Sequence, residues 1–468
     1  MANLTRTMFR EYDIRGLVSE EQINEFSVAL ISRAYGTMLV RRGIESTVVG
    51  YDLRTGSKEL SEVAIEGLLA TGVNVIAIGQ VLTPIMYAAQ YHFETKGGMM
   101  VTASHNPNGW LGFKLALGYS YTLGPDEIKE LYDLTVSEEF SVGEGARRDE
   151  DYIPIYAEDI LGRIDIPRSV KVVVNAGNGT AGPIVPDILR RAGCEVVEFL
   201  TEPDLEYSHY FPNPSKVEMM EDTGQQTVKN QAEVGFAFDG DGDRLGVTDE
   251  NGQAVWPDRF MAIIARQILE EYPGSPIIFD VKSSRALAED IKAHGGEAVM
   301  WKTGHSYIKQ KLHETKSPFA GEMSGHIFFG PPLYYGFDDA VFTALKMLEI
   351  IAKSEKTFSE MVAEVPTYIS TPTLQVDCPD EKKYEIVAAI VQDFIDEDYD
   401  VVTFENNLKL GGRLEFSNGW GLIRASSNLP VLVLRFEATS DAELEKIKAL
   451  VKEKMDQYEE IGDKWESG

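Results

Sequence analysis

The chain has 468 residues, of which 43% are hydrophobic and 25% charged, an ordinary composition for a soluble globular protein. Its 75 acidic and 44 basic residues give a net charge of −31, which argues against nucleic acid and anionic membranes as partners. A chain of this length should divide into three or four domains of roughly 100–150 residues. No run approaches the ~18 apolar residues of a membrane span. The start carries no apolar signal core, and Cys194 and Cys378 lie in unlike contexts, so we expect a cytoplasmic protein with free thiols.

The first stretch with a chemical signature, Phe9-Arg10-Glu11-Tyr12-Asp13-Ile14-Arg15-Gly16, lies near the amino terminus. It gathers two arginines and a tyrosine in a strongly acidic protein. Arg15 stands directly before Gly16, which predicts a turn residue aimed at an anion. The alternative interpretation is a strand with ordinary surface charges.

The apolar run 98–101 predicts a short buried strand, and Thr102-Ala103-Ser104-His105-Asn106-Pro107 follows it. Open α/β sheets bind ligands at the carboxyl ends of their strands. A serine there, beside a histidine, can be a nucleophile, a phosphate carrier or a turn former. Lys114 follows the apolar residues 110–113 closely, so we expect it to point at the same loop as an acid/base or phosphate-neutralising group.

Three segments share one layout of apolar strand, polar turn, helical stretch and second strand, over residues 48–75, 172–196 and 277–299. Their near-equal spacing predicts three copies of one unit, and a strand-helix-strand crossover implies parallel strands. Each unit then runs to a third strand that ends in a polar loop. We therefore expect the three loops to face one cleft.

The second unit ends in Asp239-Gly240-Asp241-Gly242-Asp243. Three carboxylates so close would repel each other without a cation, and an open site of three protein oxygens leaves room for a phosphate oxygen, as Mg²⁺ prefers. An EF-hand calcium loop is the alternative, because Glu250 falls at its twelfth position. Its sixth position is Arg244 instead of glycine, which argues against that reading. Arg244 is either a salt-bridge partner of the loop or a phosphate ligand.

The third unit carries Lys302-Thr303-Gly304-His305-Ser306 and Gly321-Glu322-Met323-Ser324-Gly325-His326. His105, His305 and His326 thus lie in strand-end loops, but no tight spacing supports a zinc site. Hydrogen bonding to a polar ligand is the better interpretation. The alternating Glu322, Ser324 and His326 can grip vicinal hydroxyls of a sugar. A structural turn is the alternative.

After about residue 368 the pattern changes to a compact α+β domain. It has predicted strands at 373–376, 401–404, 413–416, 420–423 and 431–436, a helix at 380–396, and a last helix from a capping box at Ser440–Glu443 to about Tyr458. Between two of its strands, 424–430 offers an arginine, two hydroxyls and an amide. This nest suits a phosphate dianion, although a polar hairpin loop is the alternative. The predicted domains are 1–150, 151–252, 253–367 and 368–468.

With these loops in hand, the chain resembles the α-D-phosphohexomutase family from end to end. The matches are 102–107 as the phosphoserine loop, 239–244 as the metal loop, 321–326 as the sugar loop and 424–430 as the phosphate loop. The form Gly-Glu-Met-Ser-Gly-His, with 9–16 and 301–306, is similar to the bacterial phosphomannomutase/phosphoglucomutase branch. The resemblance implies three similar mixed or parallel α/β domains and a C-terminal α+β domain around a central cleft.

The resemblance also implies a reaction. Ser104 would be held as phosphoserine, with Mg²⁺ bound by Ser104, Asp239, Asp241 and Asp243. The phosphoryl group would pass to a hexose phosphate of mannose and/or glucose, giving a hexose 1,6-bisphosphate that turns over and returns its other phosphate to Ser104. Added hexose 1,6-bisphosphate would then be an activator.

Individual residues take roles from the same resemblance. The catalytic set is Ser104, His105, Lys114, Arg15 and His326, with Lys114 and His326 as proton carriers and His105 orienting the serine loop. The substrate-binding set is Tyr12, Arg244, Lys282, Thr303, His305, Glu322, Ser324, Arg424, Ser426, Ser427 and Asn428. Lys302 would line the path between the two phosphate positions.

The chain departs from the branch at two places. The branch commonly reads Arg-Ala-Ser-Asn-Thr where this chain has Ser427 and Asn428, and it often has a histidine where this chain has 214–216. Phosphoglucosamine mutase is the main alternative, although that branch usually carries another residue pair in the sugar loop. A metal-dependent sugar phosphatase would have no use for a distal phosphate nest. We expect a monomer that binds small-molecule sugar phosphates, and a tail domain that swings about a hinge near 366–372.

Overall fold

The computed structural model describes residues 4–427 and 429–467. In the first domain the strands are β1 (Ile14–Leu17), β2 (Ser46–Tyr51), β3 (Asn74–Gln80), β4 (Gly97–Val101), β5 (Trp110–Leu117) and β6 (Arg147–Asp149). They form one sheet in the order β1-β5-β4-β2-β3-β6. The helices are α1 (Glu25–Arg41), α2 (Ser57–Leu69), α3 (Thr83–His92) and α4 (Pro125–Ser137), and a short 3₁₀ helix spans Arg6–Met8. A capping box between Asn24 and Ser27 begins α1.

The second and third domains repeat this design. The second contains α5 (Ile153–Leu161), β7 (Lys171–Asn175), α6 (Val185–Arg191), β8 (Glu195–Phe199), α7 (Val217–Lys229), β9 (Val234–Phe238), β10 (Leu245–Asp249) and β11 (Ala254–Val255). The third contains α8 (Pro257–Glu271), β12 (Pro276–Asp280), α9 (Arg285–Ala293), β13 (Glu297–Trp301), α10 (His305–Thr315), β14 (Phe319–Gly321), β15 (Ile327–Phe329), α11 (Ala340–Lys353) and α12 (Phe358–Ala363). Their sheets have the orders β11-β10-β9-β7-β8 and β13-β12-β14-β15.

The three sheets share one arrangement of strands. In each, the unit's first strand (β2, β7, β12) lies between its second and third strands and is parallel to both. A fourth strand (β5, β10, β15) returns antiparallel beside the third. The sequence predicts the parallel strands but not this fourth one. Because of it, the polar loops after β4, β9 and β14 connect two neighbouring strands, and each sheet is mixed.

The tail domain is a separate α+β layer. It contains β16 (Ile369–Ser370), β17 (Leu374–Asp377), α13 (Lys383–Asp396), β18 (Val401–Val402), β19 (Gly412–Phe416), β20 (Gly419–Ala425), β21 (Val431–Ala438), α14 (Asp441–Met455) and β22 (Glu466–Ser467), with a 3₁₀ turn at Leu408–Leu410. The strand order is β18-β19-β20-β21-β17-β22, and β16 also pairs with β21.

Two predictions for the tail need correction. The predicted strand 401–404 ends at Val402, because only Val401 and Val402 pair with β19. The last helix ends at Met455 and not near Tyr458. Ser440 caps it as expected by accepting from the Glu443 amide at 3.3 Å, whereas the Glu443 carboxylate pairs with Lys446.

The hydrophobic interior divides in an unexpected way. One continuous core contains Tyr87 of the first domain, Phe236 of the second, and Phe260 and Phe342 of the third, so these domains pack as one body. The first domain has a further core on the other face of its sheet. The tail domain has its own core, around Phe394 among others.

Each helix in the described part of the chain is too short or too polar to cross a bilayer. Cys194 and Cys378 are buried free thiols, and burial raises the pKa of each to about 11.

Candidate active site

Ser104 lies in the loop after β4 and is buried, with 1% of its surface exposed. Its φ of +51° is in the left-handed region, which is costly for a residue with a side chain. The Thr102 hydroxyl holds this bend by accepting from the Ser104 amide at 2.8 Å. The strained conformation of Ser104 is therefore stabilised locally.

Two groups contact that hydroxyl. Ser104 Oγ lies 3.1 Å from His105 Nδ1 and 3.1 Å from Asp239 Oδ2 in the metal loop of the second domain. Burial, followed by the charges of Arg244 and Arg15, lowers the pKa of His105 well below its usual value. His105 is therefore neutral and able to exchange a hydrogen bond with the serine.

Arg54 holds the backbone of the serine loop, a role that the sequence analysis missed. Its guanidinium donates to three main-chain carbonyls, those of Ser104, Asn106 and Pro107. It is buried and lies 3.5 Å from Asp52 Oδ2. Its position in the turn after β2, at the same sheet edge as Ser104, is a signal that could have revealed it.

The metal loop fits closely against the serine loop. Gly240 faces the Ser104 carbonyl at a distance that leaves no room for a side chain, and Gly242, at a φ of +71°, faces Leu82. The Thr83 amide donates to the Asp241 carbonyl at 2.9 Å. The glycines of the motif are thus required by close approach of the first domain as well as by the bend of the loop.

The three carboxylates of this loop are fully buried and converge. One ligand oxygen from each of Asp239, Asp241 and Asp243 lies within 4.8 Å of the others. Asp241 Oδ1 and Asp243 Oδ1 are buried and lack a hydrogen-bond partner among the described residues. Burial and then the neighbouring carboxylates raise the pKa of Asp239 well above its usual value. Convergent buried carboxylates, two of whose oxygens accept no hydrogen bond from the described part of the chain, fit a hard divalent cation.

Cationic and hydroxyl groups of the first domain also reach these carboxylates. Lys114, on β5, bonds Asp241 Oδ2 at 2.7 Å and also Asp243. Although burial alone would lower its pKa, the two carboxylates raise it well above its usual value. Against burial, Lys114 and then His326 lower the pKa of Asp243. Thr83, also missed from sequence, donates its hydroxyl to Asp241 Oδ2 at 2.6 Å.

His326 joins the metal loop to the sugar loop. Its Nε2 lies 3.4 Å from Asp243 Oδ1 and 3.3 Å from Arg244 Nε, while its Nδ1 lies 2.9 Å from Ser324 Oγ and 3.3 Å from Glu322 Oε2. Burial disfavours its charged form, but Asp243 outweighs burial and raises the pKa to about 9. The charged imidazolium is therefore the favoured form beside Asp243. In that form Nε2 carries a proton and cannot accept from Arg244 Nε, so the 3.3 Å contact is a hydrogen bond only when His326 is neutral. Arg244 also lies 3.8 Å from Asp239 Oδ2.

Behind His326 lies a buried polar group that the sequence analysis did not single out. Asp338 Oδ2 is 3.9 Å from His326 Nε2 and 3.7 Å from His305 Nδ1, and Asp338 Oδ1 is 3.4 Å from Lys309 Nζ. The His305 ring stacks on that of His326 at 5.5 Å and meets the ring of Tyr12 edge-on at 4.9 Å. Tyr12 and His305 are thus part of this cluster. Asp338 lies next to Asp339, the N-cap of α11, so in the sequence it looks like part of an ordinary helix start.

Polar contacts tie the sugar loop and its neighbours to the rest of the third domain. Glu322 Oε1 accepts from the Gly304 amide at 2.6 Å. Thr303 donates to Asp280 Oδ2 at 2.8 Å, and Lys282 Nζ lies 3.6 Å from the same oxygen. Burial lowers the pKa of Lys282.

Arg15 corrects one prediction. It is not in a turn but within β1, opposite Gly112 of β5, and it is buried. Its side chain donates to Asp13 at 2.7 Å and to Asn106 of the serine loop at 2.6 Å. The strand partner of Arg15 is distant in sequence, so local turn chemistry gave the wrong environment.

The tail domain supplies another wall of the cleft. Arg424, at the end of β20, donates to Ser427 Oγ at 3.5 Å, and Ser426 Oγ accepts from the Leu429 amide at 3.2 Å. Asn428 lies outside the described residues. The cleft beside this loop is lined by Glu11, Lys302, Thr303, Tyr384, Arg424 and Ser427, among others. Lys302 bonds Glu405 of the tail domain at 2.7 Å.

Glu250, the residue on which the EF-hand alternative depends, is engaged elsewhere. Its carboxylate accepts from the Ser359 hydroxyl at 2.6 Å and from the Ser359 amide at 3.1 Å. It therefore contacts α12 of the third domain.

Comparisons with known proteins agree with this geometry. Four models of phosphoglucomutase/phosphomannomutase domains match in order: domain I at 6–142, domain II at 154–252, domain III at 256–368 and the C-terminal domain at 374–454. A phosphomannomutase/phosphoglucomutase of Pseudomonas putida is 40% identical over 447 residues, 96% of this chain and 95% of that protein. The chain belongs to the phosphoglucomutase/phosphomannomutase family. It is therefore a phosphohexomutase, an isomerase.

Other members of the family are similar over nearly the whole chain. A phosphoglucomutase of Neisseria gonorrhoeae is 37% identical over 454 residues, with 96% of each chain covered. The crystal structure of a family protein from Burkholderia thailandensis superposes with a TM-score of 0.88 at 38% identity, covering 97% of this chain and 98% of that one. The four-domain α/β architecture is thus that of the family.

Proposed function

We propose that the protein interconverts the 1-phosphates and 6-phosphates of mannose and/or glucose through a phosphorylated Ser104. The observation that carries this proposal is the contact at 3.1 Å between Ser104 Oγ and Asp239, one of three buried convergent carboxylates. A buried hydroxyl beside a cation site suits the transfer of a dianionic group. Relatives named for both sugars support the breadth of the substrate range.

The proposed metal is Mg²⁺, held by Asp239, Asp241, Asp243 and a phosphate oxygen on Ser104. The fit rests on the two carboxylate oxygens without hydrogen-bond partners and on the all-oxygen donor set. Such a cation would withdraw charge from the transferring phosphate. The ammonium of Lys114 and the hydroxyl of Thr83 hold Asp241 in place from the first domain.

The chain's own residues supply position and proton transfer. In the first half-reaction the bond from phosphorus to Ser104 Oγ breaks as one to a sugar oxygen forms, and the sugar hydroxyl gives up its proton. In the second, the bond from the other phosphorus to its sugar oxygen breaks as one to Ser104 Oγ forms, the serine hydroxyl gives up its proton and the sugar oxygen takes one up. Lys114 and His326, both in contact with the metal loop, are the proposed proton carriers. Neutral His105 and the bend at Ser104 orient the serine, and Arg15 fixes the loop through Asn106.

The phosphate that is not reacting is proposed to bind in the nest of Arg424, Ser426, Ser427 and Asn428. Both ends of the sugar must fit there in turn, because the hexose 1,6-bisphosphate intermediate reverses between half-reactions. Glu322 and Ser324 would bind hydroxyls, with Tyr12, Arg244, Lys282, Thr303 and His305 around them. A trace of hexose 1,6-bisphosphate would then activate enzyme that has lost its phosphate.

The decisive experiment is a coupled assay with glucose 1-phosphate and mannose 1-phosphate, with and without a trace of hexose 1,6-bisphosphate. We expect activation by the bisphosphate, an added phosphate mass on the Ser104 peptide, and loss of both in Ser104→Ala. Release of inorganic phosphate from glucose 1-phosphate would indicate a phosphatase instead. Glucosamine phosphates tested in parallel address the phosphoglucosamine mutase alternative.

We also predict that the domains divide at residues 150, 252 and 367, that the protein is a monomer and that it is located in the cytoplasm.

A further inference from the structure

The loop 281–285, which carries Lys282 of the third domain, is held by the tail domain. Arg413 Nη1 donates to the carbonyls of Val281 at 3.0 Å and Ser283 at 2.9 Å. Arg435 Nη1 donates to the carbonyl of Lys282, which lies between them. Three successive main-chain carbonyls of one domain thus accept from two arginines of another.

The two arginines belong to one row across the tail sheet. Arg413 of β19 pairs with Leu422 of β20, and Leu422 pairs in turn with Arg435 of β21. Arg424 lies two residues beyond Leu422 on the same strand and so shares its face. The phosphate nest and the grip on the Lys282 loop are therefore neighbours on one rigid surface.

A second row of residues across the same three strands binds the other end of the loop, at Arg285. Glu415, Trp420 and Glu437 lie opposite one another on the same three strands. Glu437 Oε1 accepts from the Arg285 amide at 2.9 Å and from Trp420 Nε1 at 2.7 Å. The Arg285 guanidinium bonds Glu415 at 2.8 Å.

Both arginines are deeply buried, so their charges must be paired and hydrogen-bonded within the protein. The side chains of Arg413 and Arg435 are only 2% and 5% exposed. Arg413 stacks over Trp420 at 3.8 Å and bonds Glu415, and Arg435 lies 3.4 Å from Asp258. Moving a charge out of water is unfavourable, and here a carboxylate and the main-chain carbonyls of the loop compensate each guanidinium in a fixed geometry.

We propose that Arg413 and Arg435 are positioning residues for Lys282. By binding its loop next to Arg424, they keep the cation of the third domain at a fixed separation from the phosphate nest of the tail domain. The Lys282 loop would therefore follow the tail domain when that domain moves. This inference rests on the proposed function, in which Lys282 and Arg424 both bind the substrate.

The test is a double-mutant cycle on the full-length enzyme. Arg435→Lys and Arg413→Gln each keep one donor, and each is made alone and together with Lys282→Ala. If the arginines act through Lys282, each should lower kcat/KM about tenfold in the wild-type background and less than twofold in the Lys282→Ala background. Equal losses in both backgrounds would overturn the inference.

The control is Tyr368→Phe, which removes hydrogen bonds from Tyr368, in the segment that joins the third domain to the tail, to Glu289 of α9 without touching the loop. We expect it to reduce kcat/KM less than twofold. Inactive wild-type enzyme would instead count against the proposed function.

A measurement on the wild-type protein covers the case in which the variants fail to fold. Native-state hydrogen exchange in low denaturant reports which amides open together. The Arg285 amide should exchange with the amides of β19–β21. Exchange together with β12 of its own domain would refute the proposed grip.

Discussion

The main-chain carbonyl of Ser104 faces Gly240 so closely that a β-carbon on residue 240 would lie 2.4 Å from the oxygen. The partner is backbone, so the contact cannot be relieved by moving a side chain. Ser104 and the loop 239–243 are thus held at a distance that only glycine permits.

The first prediction follows from this contact. Gly240→Ala should separate Ser104 from Asp239 and lower kcat at least 100-fold, a loss typical of misplacing a catalytic group by about 1 Å. Steady-state kinetics and the extent of Ser104 phosphorylation measure it. The control Gly124→Ala meets only the end of the Glu127 side chain and should behave as wild type. An active Gly240→Ala would show that the close approach is dispensable.

Arg54 should matter through the loop it holds. Arg54→Ala leaves the carbonyls of Ser104, Asn106 and Pro107 without their donor, so we expect kcat to fall ~100-fold with a smaller change in KM. Arg42→Ala is the control, because Arg42 forms an exposed pair with Glu130. Equal kinetics for the two variants would contradict the role given to Arg54.

Removal of the metal should abolish activity reversibly. A chelator should stop turnover, and added Mg²⁺ should restore it and raise the melting temperature, because a ligand of the folded state stabilises it. Asp241→Asn should weaken this response, whereas Glu250→Gln should leave it unchanged, since Glu250 bonds Ser359. Loss of the Mg²⁺ response in Glu250→Gln would revive the calcium-loop alternative.

Asp339 should make stability depend on pH. Burial raises its pKa to about 6, even though Tyr156 and Tyr334 donate to it at 3.0 Å. Because the folded pKa exceeds the unfolded one, the bound proton stabilises the fold at low pH. That stabilisation, up to about 3 kcal/mol, is lost as pH rises through 6.

Asp339→Asn removes this titration. The melting temperature of the variant relative to wild type should therefore rise between pH 5 and pH 7.5. Asp133→Asn, which alters an exposed pair with Lys129, should show a constant difference. A flat response for Asp339→Asn would falsify the assignment.

Restricting the tail domain should slow turnover. Arg10 of the first domain lies 3.9 Å from Asp380 of the tail. Cysteines at these two positions, joined by a thiol-cleavable crosslinker, should lower kcat at least tenfold if the domain swings about 366–372 during the cycle. Cleavage of the crosslink should restore the rate. Normal turnover by the crosslinked enzyme would rule out this motion.

The sequence predicts the loops that meet at the site because each follows an apolar strand and carries a distinctive set of polar residues. The spacing of the repeats predicts the parallel strands for the same reason. Loops after corresponding strands of similar domains can share a cleft, and Ser104, Asp239 and His326 do lie in adjoining loops.

The sequence could not predict contacts between distant segments. Arg54 bonds a loop about fifty residues later, and Arg15 is a strand residue because β5, far along the chain, pairs with it. Asp338 lies beside a helix cap and shows its relation to His326 only in three dimensions. The antiparallel fourth strands lie outside the repeated strand-helix-strand layout, so the spacing of the repeats carries no signal for them.

The apolar core that runs through the first three domains has a consequence for dissecting the enzyme. Excising any one repeat would separate side chains such as Tyr87, Phe236 and Phe342 from their packing partners and expose a large hydrophobic surface. A single repeat therefore should not fold by itself. Swapping modules between relatives should succeed only for the three as a block, and an exchanged tail must keep the arginines that bind the loop 281–285.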